Sequence, residues 1–281
     1  MRAQSIGFVG AVLGAVALGC SSDPRPLEPR EHARVGRVDS RIQGGAEDAA
    51  DPAVGLVLIS GGGLCSGALI APDVVLTAGH CVAGGTVVSF SIGSGRKDPV
   101  TGVLDRTSFP ADAQVKNPSY VPGGCPNPTP DVGLVHLAAP VPDVDPIPYA
   151  TVPPDPATAV CVSVGFGRHE VAPGGATLIG QKYIASVTLD AVGPSYVKIS
   201  MGDGIPDHGD SGGPLLCDGF VVGDSSCHKD GNWPAHTVEY SGRIDAVSDW
   251  IAGQIAAWDP PPPVDPDPPP PVDDPDPPLR P

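Results

Sequence analysis

Basic side chains are scarce in this chain: 16 lysines and arginines stand against 32 aspartates and glutamates, a formal net charge of −16. So few cations cannot assemble a surface that neutralises phosphates, which excludes nucleic acid as a partner. The acidic excess favours solubility rather than any particular ligand. Long apolar runs are also missing. The stretch Ile6–Leu18 falls short of the ~20 residues that a permanent membrane-spanning helix needs. His32, His136, His169, His228 and His236 lack metal-ligand spacing and read as structural or exposed, and no cofactor motif occurs. The expectation is a protein that uses neither a metal nor a cofactor.

Helix-favouring composition is the next thing in short supply. The 281 residues include 37 glycines and 37 prolines, well above ordinary usage, which points to an all-β class rich in loops. The length allows one large domain or two ordinary ones with an ample core. From Ile42 onward, short apolar runs alternate with Gly/Pro/Asp turns. They lie at Val54–Ile59, Leu64–Ile70, Val74–Thr77, Thr86–Ile92, Val132–Leu137, Val160–Val164, Leu178–Val187, Tyr196–Ser200, Pro214–Leu216 and Gly219–Val222. That density of short strands marks a barrel or sandwich. Pro-rich residues 138–158 form a connector between two halves. The one helix expected lies at 244–258, where Ile244, Val247, Trp250, Ile251, Ile255 and Trp258 recur at helical spacing.

The two ends read differently from the middle. Residues 1–20 have the form of an export signal: Arg2, the apolar run, then Gly19-Cys20. Two processing routes stay open. Ala15-Val16-Ala17 is an ordinary A-x-A cleavage site. Leu18-Gly19-Cys20-Ser21 resembles a bacterial lipobox, with Ala17 where the leucine usually stands; Cys20 would then be lipidated and tie the chain to a membrane. Setting Cys20 aside leaves six of the seven cysteines, an even number suited to an oxidising compartment outside the cytoplasm. Residues 21–41 are polar and Pro/Arg-rich, a tether or pro-segment. Residues 259–281 are almost wholly Pro and Asp and read as a disordered, polyproline-like spacer on the order of 70 Å long; the rival reading is a docking peptide.

The chemistry gathers at three short motifs. Gly209-Asp210-Ser211-Gly212-Gly213-Pro214 presents a serine among glycines, Leu76-Thr77-Ala78-Gly79-His80-Cys81 carries a histidine beside an apolar run, and Asp131-Val132-Gly133-Leu134-Val135 carries an acid. A serine hydroxyl needs a base to become a nucleophile, the base needs an orienting carboxylate, and the developing oxyanion needs backbone N–H donors. His80, Asp131 and Ser211 can fill the first roles, and the amides of Gly209 and Ser211 the last. Gly209–Gly213 also fits G-x-S-x-G, and His228 and His236 follow Ser211. An α/β-hydrolase, however, runs Ser, acid, His on alternating strands and helices, and the helices are missing.

Together with Arg41-Ile42-Gln43-Gly44-Gly45, Cys65–Ile70, Cys161–Gly167 and Asp249-Trp250-Ile251, these motifs resemble the trypsin/chymotrypsin-fold serine proteases from Ile42 to about Trp258. The resemblance implies two six-stranded antiparallel β-barrels with a C-terminal helix, and a serine endopeptidase acting on protein or peptide substrates. Gly79 and Gly133 stand where the family usually has alanines. By resemblance the chain is a zymogen: cutting after Arg41 frees Ile42, whose amino group pairs with Asp210. The resemblance also pairs Cys65 with Cys81 and Cys161 with Cys217. It brings the loop before Asp131 close to the strand after Cys217, which suggests a third bridge, Cys125–Cys227, against the alternative of two free thiols.

The same resemblance places the specificity pocket at Ile205, His208 and Ser226, with Ile205 as its base. An apolar base argues against cleavage after arginine or lysine, so a separate activating protease is expected to cut at Arg41. Asp203 lies two residues too early for the base, and Asp207 stands where the family has a cysteine. The competing function is a catalytically silent, protease-like surface binding protein, with the C-terminal tail as its interacting part.

Overall fold

The computed structural model describes residues 42, 44–171, 177–229 and 236–259. The expected export signal, Cys20, the pro-segment with Arg41, and the Pro/Asp tail beyond Asp259 lie outside the described residues.

A two-residue strand β1 (Ala46–Glu47) leads into six strands. These are β2 (Val54–Ile59), β3 (Gly63–Ala71), β4 (Val74–Ala78), β5 (Val87–Ile92), β6 (Thr107–Lys116) and β7 (Val132–Leu137). They close into an antiparallel barrel in the order β2-β3-β4-β7-β6-β5, interrupted after β4 by the short helix α1 (Gly79–Ala83). The connector follows, then β8 (Cys161–Gly165), the small β9 (Glu170–Val171) and β10 (Thr177–Leu178) ribbon, and five more strands. These are β11 (Tyr183–Val192), β12 (Tyr196–Met201), β13 (Pro214–Cys217), β14 (Phe220–Cys227) and β15 (Val238–Arg243). The second barrel runs β8-β13-β14-β15-β12-β11 and closes where β11 pairs with β8. β1 pairs along β11, and the buried Lys182–Asp48 ion pair at 3.4 Å ties down the chain after it. A 3₁₀ turn at Asp245–Val247 opens into α2 (Ser248–Trp258). Among the described residues no helix is long and apolar enough to cross a membrane.

Burial explains which strands were plain in the sequence. β4 is buried at every position and β7 at all but one. One face of each looks into the first barrel (Val75, Val135 and Leu137, with Val57 and Phe90) and the other onto the seam between the barrels (Leu76, Val132 and Leu134). A strand covered on both sides reads as a continuous apolar run. The seam continues into Val164, Phe166, Leu216 and Val221 of the second half, and Ile244, Val247 and Ile251 of the C-terminal segment are buried in it. The Trp258 ring at the end of α2 rests 5.3 Å from that of His136 on β7. The connector is held by both halves: Ile147 N–H donates to the Leu69 carbonyl (2.9 Å) and Ala150 N–H to that of Val221 (2.9 Å).

Two barrel strands carried no such signal. Along β6 every residue is exposed or only half-buried, and β15 buries Glu239 and Ser241 rather than hydrophobic side chains. The run expected as one strand at Leu178–Val187 is divided between β10 and β11 by Gly180, whose φ of +90° favours glycine. α1 is a helix not foreseen.

One buried residue counts against stability. Asp224 on β14 is wholly buried, and neither carboxyl oxygen is hydrogen-bonded to another of the described residues. Burial first, then the charge of Asp131, pushes its pKa well above the ordinary range. An acid whose pKa rises on folding costs nothing below its unfolded value, near 4, and costs progressively more as pH climbs from there toward the folded value. Asp224→Asn is therefore expected to stabilise the fold more at pH 8 than at pH 5, by about 1 kcal/mol or more at the higher pH, and to raise the melting temperature accordingly. Melting curves at the two pH values check this, and an unchanged or lower midpoint at pH 8 would refute it.

Candidate active site

The pairing of β4 with β7 sets Ala78 opposite Val132, so α1 starts beside the residue just before β7. Gly79 N–H donates to the Asp131 carbonyl (3.1 Å), His80 N–H to Asp131 Oδ1 (2.8 Å), and His80 Nδ1 lies 2.8 Å from Asp131 Oδ2. The two glycines that depart from the resembled pattern are filled in. A Cβ at Gly79 would stand 3.0 Å from Asp131 Oδ1, and one at Gly133 would stand 2.7 Å from a Val82 methyl.

Asp131 is 1% exposed. Its Oδ2 also accepts from Ser226 Oγ (2.7 Å) on β14 and from Asn127 Nδ2 (3.2 Å), which itself donates to Ser226 Oγ (2.9 Å). Burial works to raise its pKa, but the His80 hydrogen bond and charge, helped by Ser226, outweigh it, and the net shift is downward. Asp131 is thus held as a carboxylate, and His80 keeps its proton on Nδ1 facing it. That leaves Nε2, on a side chain 36% exposed, free to take up a proton from a hydroxyl. Neither Ser226 as a carboxylate donor nor Asn127 was foreseen in this role. The resemblance places Ser226 in the pocket alone, and Asn127 sits in an irregular loop with no motif around it.

Ser211 precedes β13. Its carbonyl accepts from Ser66 N–H (2.8 Å) and lies 3.8 Å from Sγ of Cys81, the residue after His80. Ser211 Oγ makes no direct hydrogen bond to His80 among the described residues, a contact that often tightens only when substrate binds. Ser66 fastens the Ser211 loop further: its hydroxyl donates to the Gly209 carbonyl (3.0 Å) and accepts from Phe166 N–H (2.9 Å). Gly209 has φ +96°, and a Cβ there would stand 2.9 Å from Gly167 Cα. In the same loop the amides of Asp210, Gly212 and Gly213 are spent on the carbonyls of Asp207, Ser225 and Asp210. Those of Gly209 and Ser211 donate to no acceptor among the described residues.

Asp210 is buried, and its carboxyl accepts from Gly167 N–H (2.7 Å) and Asp207 N–H (2.9 Å). Burial pushes its pKa up to about 7 despite these bonds. The Ile42 side chain is buried against Tyr183 and Ala185.

Beside Ser211 is a cavity of about 300 Å³ whose lining includes Asp207, His208, Ser226, His228 and Glu239. The expectation for its base is corrected here. Ile205 is 0% exposed and belongs to the interior of the second barrel with Val187, Leu189 and Val197. Asp203 is exposed and accepts from Ser186 N–H (2.7 Å). The acidic groups of the lining are Asp207 and Glu239. Glu239 is hydrogen-bonded by the Ser225 hydroxyl, and burial pushes its pKa up to about 8. Counting back from Ser211 gave no hint of Glu239, which arrives from β15.

Three disulfides join Cys65 to Cys81, Cys161 to Cys217 and Cys125 to Cys227. The last ties the Asn127 loop to the end of β14, the strand that brings Ser226 to Asp131. Replacing Cys125 and Cys227 by serine is expected to cost about 2–4 kcal/mol through the freedom returned to the unfolded chain. Denaturant melts of the variant measure it, and a loss below about 0.5 kcal/mol would show the link to be idle.

Comparison with known proteins agrees with this fold. A snake venom serine protease of Bothrops jararaca is 30% identical over 256 residues, 80% of this chain and 93% of that protein. The venom plasminogen activator Haly-PA of Gloydius brevicauda is 28% identical, over 73% of this chain and 85% of its own length. Among solved structures, human heparin binding protein superposes with a TM-score of 0.61 at 23% identity, covering 79% of this chain and 99% of that one. An inactivated protease paralogue of the scabies mite superposes with a TM-score of 0.61 at 20% identity, covering 76% and 97%; at such identities these two show the fold alone. The trypsin family matches residues 42–251, and the chain, with its two barrels and its His80–Asp131 pair, belongs to the trypsin family of serine proteases.

Proposed function

We infer that this chain is an exported serine endopeptidase made as a zymogen. The observation that carries the reading is His80 doubly hydrogen-bonded to the buried Asp131, with a cavity next to Ser211. Ser211 Oγ attacks the scissile carbonyl carbon while His80 Nε2 takes its proton. The amides of Gly209 and Ser211 hold the oxyanion, and collapse breaks the C–N bond with the proton passing from His80 to the leaving amine. Water then attacks the acyl-enzyme by the same route in reverse, releasing Ser211. Residues 1–20 direct export, and lipid on Cys20 would hold the uncut chain at a membrane until activation.

Activation is proposed at Arg41–Ile42. Among the described residues Asp210 has only backbone N–H partners, and burial pushes its pKa up to about 7. A freed Ile42 amino group would supply the countercharge that makes its carboxylate favourable in a buried setting. The cavity supports side chains that bear hydrogen-bond donors, since Asp207 and Glu239 line it. That lining removes the argument, drawn from Ile205, against self-activation after Arg41.

A fluorophosphonate probe tests the reading before and after cutting at Arg41. The cut chain should label and Ser211→Ala should not; an activated wild-type chain that stays unlabelled leaves the surface-binding reading in its place. Arg41→Gln should stay an unlabelled precursor, and full labelling of that variant would remove the zymogen step. Ser226→Ala, which deletes one donor to Asp131, should lower kcat/KM about tenfold with KM little changed. Steady-state kinetics on a peptide substrate measure this, and an unchanged kcat would make Ser226 a lining residue only.

A further inference from the structure

We propose that Asp207, His208 and His228 form a site for a divalent transition-metal ion of the zinc type in the wall of the cavity, and that the ion reversibly shuts the protease. No spacing along the chain suggests it: the two histidines are 20 positions apart, and neither belongs to a metal motif. The fold brings them together because the loop before Ser211 and the end of β14 line the same cavity. One carboxylate oxygen of Asp207 and one ring nitrogen from each histidine all lie within 4.8 Å of one another. The comparable group Cys65, His80 and Cys81 offers no such site, since both sulfurs are joined in a disulfide.

Two imidazoles and a carboxylate are a ligand set that zinc accepts, with a fourth position left for water. Tetrahedral ligands at about 2.0–2.2 Å from zinc stand about 3.4 Å apart, so the trio needs to draw in by no more than about 1.4 Å. The side chain of His208 is exposed and can make that adjustment by rotation. The other two are held in place. His228 stacks at 4.2 Å and 13° on the ring of His236. His236 is wholly buried, and its Nε2 lies 2.8 Å from the carbonyl of Pro206, the residue before Asp207. A carbonyl only accepts, so Nε2 carries the proton there. Asp207 is buried: its N–H donates to Asp210 Oδ2 (2.9 Å), its carbonyl accepts from Asp210 N–H (2.9 Å), and its carboxylate Oδ1 accepts from His208 N–H (2.7 Å). Such support behind the ligands is what gives a metal site its geometry.

The consequence for activity follows from place. The ion would occupy the same cavity that Ser211 lines, so a substrate side chain could not enter it. The binding half of the proposal stands on this geometry alone, while the inhibitory half rests on the protease reading.

The test uses the full chain. Calorimetric titration of Ser211→Ala protein with zinc chloride should show a site whose affinity falls at least about tenfold on adding either His208→Ala or His228→Asn. The exposed His208 makes its truncation safe for folding. In parallel, zinc should slow fluorophosphonate labelling of the cut wild-type chain, a chelator should restore it, and labelling of the His208→Ala protein should be insensitive to zinc. Affinity undiminished in both histidine variants overturns the site, and labelling unaffected at saturating zinc overturns the inhibition. A chain that binds zinc through these side chains yet takes no probe under any condition supports the site and overturns the protease reading.

Discussion

A carboxylate taken out of water is the constraint around which this molecule is arranged. Burying a charge is costly unless its lone pairs are satisfied, and Asp131 meets that demand with donors from both halves of the chain. Two come from His80 on the first barrel, one from Ser226 on the second, and one from Asn127 in a loop stapled to the second. The barrels cannot shift against one another without breaking one of these bonds. What orients the histidine is therefore also what fixes the seam.

Ser66 plays the corresponding part on the other side. It is wholly buried on β3 of the first barrel, yet it bonds the carbonyls of Gly209 and Ser211 and the amide of Phe166, all in the second half. The Ser211 loop is thus positioned from across the seam rather than by its own barrel alone. Such buried polar links are strong where fully satisfied and demand close geometry, which suits a loop whose amides, in the proposed mechanism, are presented at fixed positions.

How much of this could be read from residues alone divides along burial. Strands covered on both faces, such as β4 and β7, announced themselves as apolar runs, and so did the helical stripe from Ile244 to Trp258. β6 and β15 did not, because the first is largely exposed and the second buries polar side chains. The site divided in the same way. His80, Asp131 and Ser211 lie in short motifs whose order and neighbours carry meaning. Asn127, Ser66 and Glu239 act through contacts made across the fold, and nothing adjacent in sequence marks them. Ile205 shows the converse failure. Counting along a chain assumes that an apolar residue faces the cavity, but a second-barrel interior was available to it and burial there prevailed.

The link between Cys125 and Cys227 has one more consequence. Cys125 lies before the Pro-rich connector and Cys227 after it, whereas each of the other two disulfides closes within one half. A cut anywhere in residues 138–158 would leave the two halves joined by that sulfur bridge as well as by the seam. The chain could therefore persist as a nicked, two-chain molecule with its site assembled, and only reduction would make the parting of the halves possible. By contrast, no cysteine lies in residues 21–41, so a cut after Arg41 leaves no covalent tie to what precedes it.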